Sequence, residues 1–459
     1  MEILSDLKPI DLKEKIEILW DLSGQKILSI EDSYDPSQGA PVFTVKGQYT
    51  TMGWTEWTQG FQYGSAILQF DATGAEKFLE SGRKNTLEKM APHISHFGVH
   101  DHGFNNVSTY GNLLRLMKEG KIVTDAWEKN FYELALKISG AVQAARWTDT
   151  EDGGFIYSFN GAHSLFVDTI RTLRVLVLSH CLGHDLRGEQ DVKQNLLERA
   201  LTHAISTAKY AIYYGNGRDR YDVLGRTAHE SIFNVQNGVY RCANAQQGYT
   251  GFSTWTRGLS WAMLGFAEQL EFLDAFDDGL PERYSDKKEL LEILEKAATA
   301  TCEFYIENTA KDGIPYWDTG APNLHKLGDY LSRPAEPFND FEPVDSSAAA
   351  IGAQGLLRLG KYLKQKGDND RGQRFYQAGL TVAGRLMEAP YLSQDPEHQG
   401  LLLHANYHYP NDWDHVPEGS NIPHSESCMW GDYHLRELAL YLQRMIENRP
   451  YYSFYASVI

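Results

Sequence analysis

The stretch from Gly98 to Phe104, Gly-Val-His-Asp-His-Gly-Phe, sets Asp101 between His100 and His102 with a glycine on either side. A carboxylate beside imidazoles suits proton transfer near neutral pH. The same residues also suit an ordinary turn whose polar groups bond the local backbone. A second carboxylate, Asp168, stands among Leu165, Phe166, Val167 and Ile170. Desolvation there would raise its pKa and keep it protonated, as a general acid requires. The alternatives are a helix N-cap or an ion pair with Arg171 or Arg174. Further along, His229 lies in AHES, either a site residue or a solvated loop histidine. Gln247, Trp255 and Trp261 bracket Arg257. That guanidinium is either a cation packed on indoles or the partner of a sugar carboxylate. The His-Asp-His triplet could ligate zinc, but no HExxH or second ligand pair accompanies it, so neither metal nor cofactor is expected. P-loop, dinucleotide and GxSxG signatures are missing, which removes support for phosphoryl and hydride transfer.

Composition narrows the partners. The 459 residues carry a formal charge of −18, which argues against a nucleic-acid backbone as ligand. An anionic small substrate needs a locally positive pocket within that acidic shell. Aromatic content is 12%, and rings with one polar edge suit either a sugar cleft or core packing. Cys181, Cys242, Cys302 and Cys428 show no CxxC spacing and read as free, mostly buried thiols suited to a reducing compartment. Residues 1–22 lack the basic and apolar regions of a signal peptide, and no apolar run reaches membrane-spanning length. The expectation is a cytoplasmic protein, monomeric or homodimeric, with no nucleic-acid or membrane partner.

The residues that could do chemistry fall between helices. Helical spacing is evident over 7–22, 54–70, 75–91, 109–119, 125–146, 164–182, 193–211, 253–276, 287–308, 346–365, 370–388 and 426–447. Strand signals are few: Val223 to Thr227, and Ser231 to Tyr240 with a hairpin near Asn237-Gly238. Asp345 and Ser346 can cap the helix after them, and Asp432 reads as a structural cap. Paired helices of similar length suggest an inner ring wrapped by an outer ring. A solenoid would show a fixed period, and none is present. One domain over 1–459 is expected, with an irregular arm at about 23–50.

Taken in order, WTQGFQYG, HDHGF, VDTI, AHES, QGYTGFSTWTRGLSW, PVDSSAAAIGAQGLLRLG and CMWGDYHLRELAL resemble the unsaturated glucuronyl hydrolases, glycoside hydrolase family 88. The likeness runs over roughly residues 54–450. It implies an all-α (α/α)6 barrel. It also implies a small oligosaccharide substrate ending in a 4,5-unsaturated uronic acid, removed by acid-catalysed hydration of the C4=C5 vinyl ether. The unsaturated rhamnogalacturonyl hydrolases of family 105 share the barrel and the Trp-x-Arg-Gly element, and a saturated-uronide glycosidase is a further alternative. By position, Asp168 matches the family's acid/base and Asp101 its second aspartate. Trp57, Trp255 and Trp261 match stacking positions, and His100, His229 and Gln247 match polar contacts. Arg171, Thr172, Leu259 and His102 depart from the family pattern. Arg171 reads as a partner for a carboxylate or, preferably, as an outward-facing helix residue, and His102 has no assigned role.

Overall fold

Helices that are apolar all round alternate along the chain with helices that are apolar on one face only, and this alternation builds the fold. In the computed structural model, which describes residues 1–53 and 56–459, twelve principal helices follow one another. They are α1 (Lys13–Ser33), α2 (Gln59–Thr73), α3 (Glu76–Lys89), α4, α5 (Ala126–Ala145), α6 (Leu173–Cys181), α7 (Leu196–Tyr210), α8 (Thr256–Ala275), α9 (Lys287–Asn308), α10 (Ser346–Gln365), α11 (Asn369–Leu386) and α12 (Met429–Ile446). Helix α4 is continuous over 102–118: His102–Asn106 passes through a π turn, Val107–Gly111, into Asn112–Lys118. The count leaves aside a short helix, Ala91–Ser95.

The even-numbered helices pack α2 on α4, α4 on the turn entering α6, that turn on α8, then α8 on α10, α10 on α12 and α12 back on α2, so the inner ring closes. The odd-numbered helices lie outside, each against its inner neighbours. Helix α8 is buried from Thr256 to Leu273, whereas α7 buries one stripe and α3 only Phe78, Leu79, Gly82 and Thr86. This is the expected (α/α)6 barrel. Asp125, Asn195, Asp286, Asp345 and Asp368 cap α5, α7, α9, α10 and α11 through their side chains.

Five expectations change. The expected helix 164–182 opens as a strand, Ser164–Phe166, and a 3-10 turn, Val167–Thr172, and is α-helical over Leu173–Cys181. The irregular arm begins later than residue 23, because α1 continues to Ser33 on buried Ser23, Gly24, Ile27 and Ile30. Of the expected helix 54–70, Trp54 and Thr55 lie outside the described residues, and the helix itself starts at Gln59. Val223 to Thr227 is not a strand. The hairpin does form, with β2 (Glu230–Phe233) pairing both β1 (Ser164–Phe166) and β3 (Tyr240–Asn244) around Gly238 at φ 68°. Asp432 caps no helix among the described residues; from inside α12 it accepts the backbone N–H groups of Leu401 and Leu402 and the Tyr49 hydroxyl.

Gly103 marks a tight approach near the site. A Cβ there would meet the Thr172 carbonyl oxygen at 2.5 Å and its Cα at 2.6 Å, both unyielding backbone. Gly103→Ala is expected to cost about 1–3 kcal/mol through overpacking and to lower activity by parting Asp101 from Asp168. A urea midpoint and turnover equal to those of the parent protein would contradict this.

Candidate active site

All six inner helices begin at one mouth of the barrel. Trp57 lies just before α2, Asp101 at the N-cap of α4, and Asp168 in the 3-10 turn Val167–Thr172 that enters α6. Trp255 and Asp345 are the N-caps of α8 and α10, and Trp430 lies in the first turn of α12. Helix N-termini carry partial positive charge, so this mouth favours an anion even within a chain of net charge −18. The mouth holds a pocket of about 130 Å³ walled by Trp57, Phe104, Phe159, Trp255, Trp261, Tyr407 and Trp413. Its polar lining is His100, Asp101, Asp168, Gln246, Gln247, Arg257, His408 and Asn411.

Strand pairing explains how residues far apart in sequence meet. Phe166 on β1 stands opposite Glu230 on β2, and Val167 N–H donates to His229 C=O at 2.9 Å, so His229 is held beside Asp168. His100 reaches the same place because Thr172 Oγ1 donates to its carbonyl, clamping the start of α4 to the Asp168 turn.

His100 Nδ1 accepts the Phe159 N–H at 3.3 Å, which leaves the proton on Nε2. That atom lies 3.4 Å from Asp168 Oδ2 and 3.7 Å from Asp101 Oδ1. Burial opposes charge on His100, but the two carboxylates outweigh it and raise its pKa. Burial also acts on both aspartates, with different outcomes. Asp101 is raised, by burial first and then by the Asp168 charge, although His100 opposes. Asp168 is lowered, because the hydrogen bond and charge of His100, with help from His229, overcome burial. The apolar sequence around Asp168 therefore misleads: the imidazoles, His100 first, outweigh burial and hold its carboxyl in the ionised form. Asp168 Oδ1 is buried with no hydrogen-bond partner among the described residues. Ligand atoms of His100, Asp101 and Asp168 all lie within 4.8 Å of one another, so this set has the spacing to hold a metal ion as well as a proton.

His229 stands behind the pocket wall. Its Nδ1 accepts the N–H groups of Gln246 and Gln247 at 3.0 and 3.2 Å, and burial lowers its pKa to about 3. It is a neutral donor through Nε2, which has no partner among the described residues. Gln247 Oε1 accepts from Arg257 Nη2 at 3.0 Å, so its amide NH₂ remains to donate.

Both Nη atoms of Arg257 are engaged, by Asp345 at 2.6 Å, by the carbonyls of Asn406 and Tyr407 at 2.5 and 2.7 Å, and by Gln247. It packs over Trp255 and Trp430, which favours the strut reading over a sugar-carboxylate partner. Trp57 stacks on Trp430 at 5.0 Å and Trp261 on Phe104 at 5.1 Å, so the pocket's rings are fixed before any ligand arrives.

Two residues fall elsewhere than expected. His102 turns away from His100 and pairs with His96 Nδ1 at 2.7 Å and Asn105 Nδ2 at 3.1 Å, so the triplet does not converge on a zinc ion. Asn105 Oδ1 in turn accepts Gly60 N–H, which ties α4 to α2 below Trp57. Arg171 does not face outward. It is fully buried, bidentate to Glu268 at 3.0 Å, bonded to Glu437 at 2.8 Å and to His434.

The sequence reading missed Phe159 and the loop residues Tyr407, His408, Asn411 and Trp413. Their signal was the density of His, Tyr and Trp over 404–415. Asp414 folds that loop by accepting Tyr407 N–H and, at 2.9 Å, His408 N–H, and its burial raises its pKa to about 6.

The sequence profile of Glycosyl Hydrolase Family 88 matches residues 42–308. An unsaturated glucuronyl hydrolase of Bacillus sp. strain GL1 is 26% identical over 404 residues, covering 86% of this chain and 89% of its own. An unsaturated chondroitin disaccharide hydrolase of Streptococcus agalactiae is 23% identical over 441 residues, with 94% and 91% covered. The crystal structure of the Bacillus sp. GL1 enzyme superposes with a TM-score of 0.67 at 21% identity over 93% of this chain and 96% of that one. That of a heparin-specific unsaturated glucuronyl hydrolase gives 0.69 at 19% over 95% and 98%. The profile spans more than half of the residues and takes in both aspartates, His229 and the Trp-x-Arg-Gly element; the chain belongs to glycosyl hydrolase family 88 and is a glycoside hydrolase.

Proposed function

We propose that this enzyme removes a terminal 4,5-unsaturated uronic acid from small oligosaccharides by hydrating its C4=C5 vinyl ether. The observation that carries this reading is the placement of two buried carboxylates around one imidazole, at the mouth where the inner helix N-termini converge. The positive helix ends attract the uronate, and the rings take the sugar's apolar faces. Similarity to unsaturated glucuronyl and chondroitin disaccharide hydrolases supports the same substrate class.

Bound uronate adds negative charge and displaces water, and both raise the pKa of Asp168. Asp168 then takes up a proton from solvent, with the His100 Nε2–H, 3.4 Å from its Oδ2, orienting the carboxyl. Asp168 delivers that proton to C4. Positive charge develops at C5 and the ring oxygen, and the facing carboxylates stabilise it. Water adds its oxygen at C5 and returns a proton to Asp168. The hemiketal formed opens and releases the leaving sugar. This differs from displacement at the anomeric carbon, so the separation of the carboxylates does not dictate stereochemistry.

A side-by-side panel tests the reading. Lyase-generated disaccharides from hyaluronan, chondroitin, heparin, gellan and ulvan are followed by loss of the enol-ether absorbance, with 4-nitrophenyl glucuronide and an unsaturated rhamnogalacturonan fragment alongside. Turnover is expected on one or more of the glucuronyl disaccharides. Release of 4-nitrophenol, or activity confined to the rhamnogalacturonan fragment, would overturn it.

A further inference from the structure

A groove of about 510 Å³ lies between the loop that follows α7, the loop Tyr249 to Ser253 and the C-terminal end of α9. Its mixture of groups is specific. Tyr221 and Phe252 stand at its edge with ring centroids 5.0 Å apart, and each is about half exposed (54% and 53%). Tyr249 is exposed beside them. Arg220 and Arg226 are in the lining, and the lining contains no Asp or Glu. On a chain of net charge −18, the exposed Arg220 gives this groove a cation for an anionic ligand, while Arg226 is paired with Asp219.

The groove is built rather than frayed. Asp219 accepts Tyr221 N–H at 2.7 Å, and Asp222 accepts three N–H groups, from Gly215, Asn216 and Arg218. Thr250 and Ser253 bond each other, and Thr250 Oγ1 accepts Phe252 N–H at 3.1 Å. Arg226 is buried and bonds Asp219 and the Phe252 carbonyl, and its Nε has no partner among the described residues. Arg220 is exposed and forms no ion pair among the described residues. The groove also shares a loop with the catalytic pocket: Gln246 and Gln247 line the pocket, and Tyr249 to Ser253 line the groove.

We propose that this groove is a second, non-catalytic binding site for acidic oligosaccharide, with a sugar face on Tyr221 and Phe252 and a uronate carboxylate on Arg220. Stacking uses the apolar body of the rings, and the guanidinium matches a carboxylate in two parallel bonds. The choice of ligand class rests on the substrate reading above. The catalytic pocket is the more enclosed of the two, whereas the groove lies open on the surface, a geometry that suits internal units of a longer acidic chain.

The probe is a saturated tetragalacturonate, which has no vinyl ether to turn over. Calorimetry on the full chain is expected to show binding that Tyr221→Ala/Phe252→Ala weakens at least about tenfold. Arg220→Gln is expected to weaken the acidic probe while leaving a neutral cellotetraose unchanged. Turnover of an unsaturated disaccharide should stay within about twofold in all these variants, which also shows that they fold. Equal affinity of parent and double variant, no binding to the parent, or competition by the probe for the catalytic pocket would each overturn the proposal. Failure of the substrate reading would look different: no turnover of any unsaturated disaccharide, with probe binding still sensitive to Tyr221 and Phe252.

Discussion

Asp168→Asn should lower turnover of an unsaturated disaccharide by about 10²–10⁴-fold, the range a positioned general acid supplies, while leaving the urea midpoint within a few tenths of a molar. The amide has nearly the shape of the carboxyl but no proton of suitable acidity. It can still accept from His100, so the clamp between the start of α4 and the turn entering α6 survives. An accompanying rise in KM is not expected, because a general acid acts on the transition state rather than on binding of the resting sugar. Activity that persists in this variant would remove Asp168 from the role of acid.

The partner experiment separates the two aspartates. Asp101 raises the pKa of His100, against burial, by its adjacent negative charge. Asp101→Asn deletes that charge, so His100 loses its proton at lower pH. The alkaline limb of kcat/KM, which reports groups of the free enzyme, is therefore expected to move toward acid. A purely structural Asp101 would lower the amplitude of the profile and leave its limbs in place. On the proposed mechanism, a carboxyl held below its ordinary range in the free enzyme serves as an acid because bound uronate raises its pKa and it takes up a proton then.

How much of this was legible depends on which physical scale each feature uses. The barrel was readable because α8 and α10 are apolar all round while α7 and α11 are apolar on one face, and that contrast is local periodicity. Asp101 was readable because its two histidines are sequence neighbours, yet only one of them, His100, faces it. The charge state of Asp168 was not readable. It depends on His100, delivered by another helix, and on His229, delivered through β2. Arg257 looked like a ligand for a sugar carboxylate because the tryptophans around it are local, whereas Asp345 and the carbonyls of residues 406–407 that occupy it are remote. Arg171 failed for the same reason, since its acidic partners lie on α8 and α12.

The largest stability effect is expected from that residue. Arg171→Met should cost about 3–5 kcal/mol, the usual price of stranding one side of a buried ion pair. Its guanidinium joins the Asp168 turn to Glu268 of α8 and to Glu437 and His434 of α12, three elements of the inner ring that meet beneath Trp261. Arg174 cannot take over, because it lies 3.9–4.0 Å from the same carboxylates and its Nη2 has no hydrogen-bond partner among the described residues. The effect should depend on pH in a defined direction. Burial pushes Glu437 up, but Arg171, His434 and Arg174 hold it well below the ordinary carboxylate range. A depressed carboxylate contributes stability above its unfolded pKa of about 4.3 and loses it as pH falls through the folded value. Without Arg171, burial prevails, the folded state prefers the protonated acid, and acidification no longer removes that contribution. The stability gap between parent and variant should accordingly be widest near pH 7 and shrink as pH falls through 5 toward about 4. Adding Glu437→Gln to Arg171→Met should recover part of the loss at pH 7, giving a coupling of about 1–3 kcal/mol in a double-mutant cycle. Urea titrations at pH 7 and pH 5 measure both quantities. A gap that does not change with pH, or a double variant that is only additive, would mean that the guanidinium acts by filling space rather than by neutralising the two glutamates.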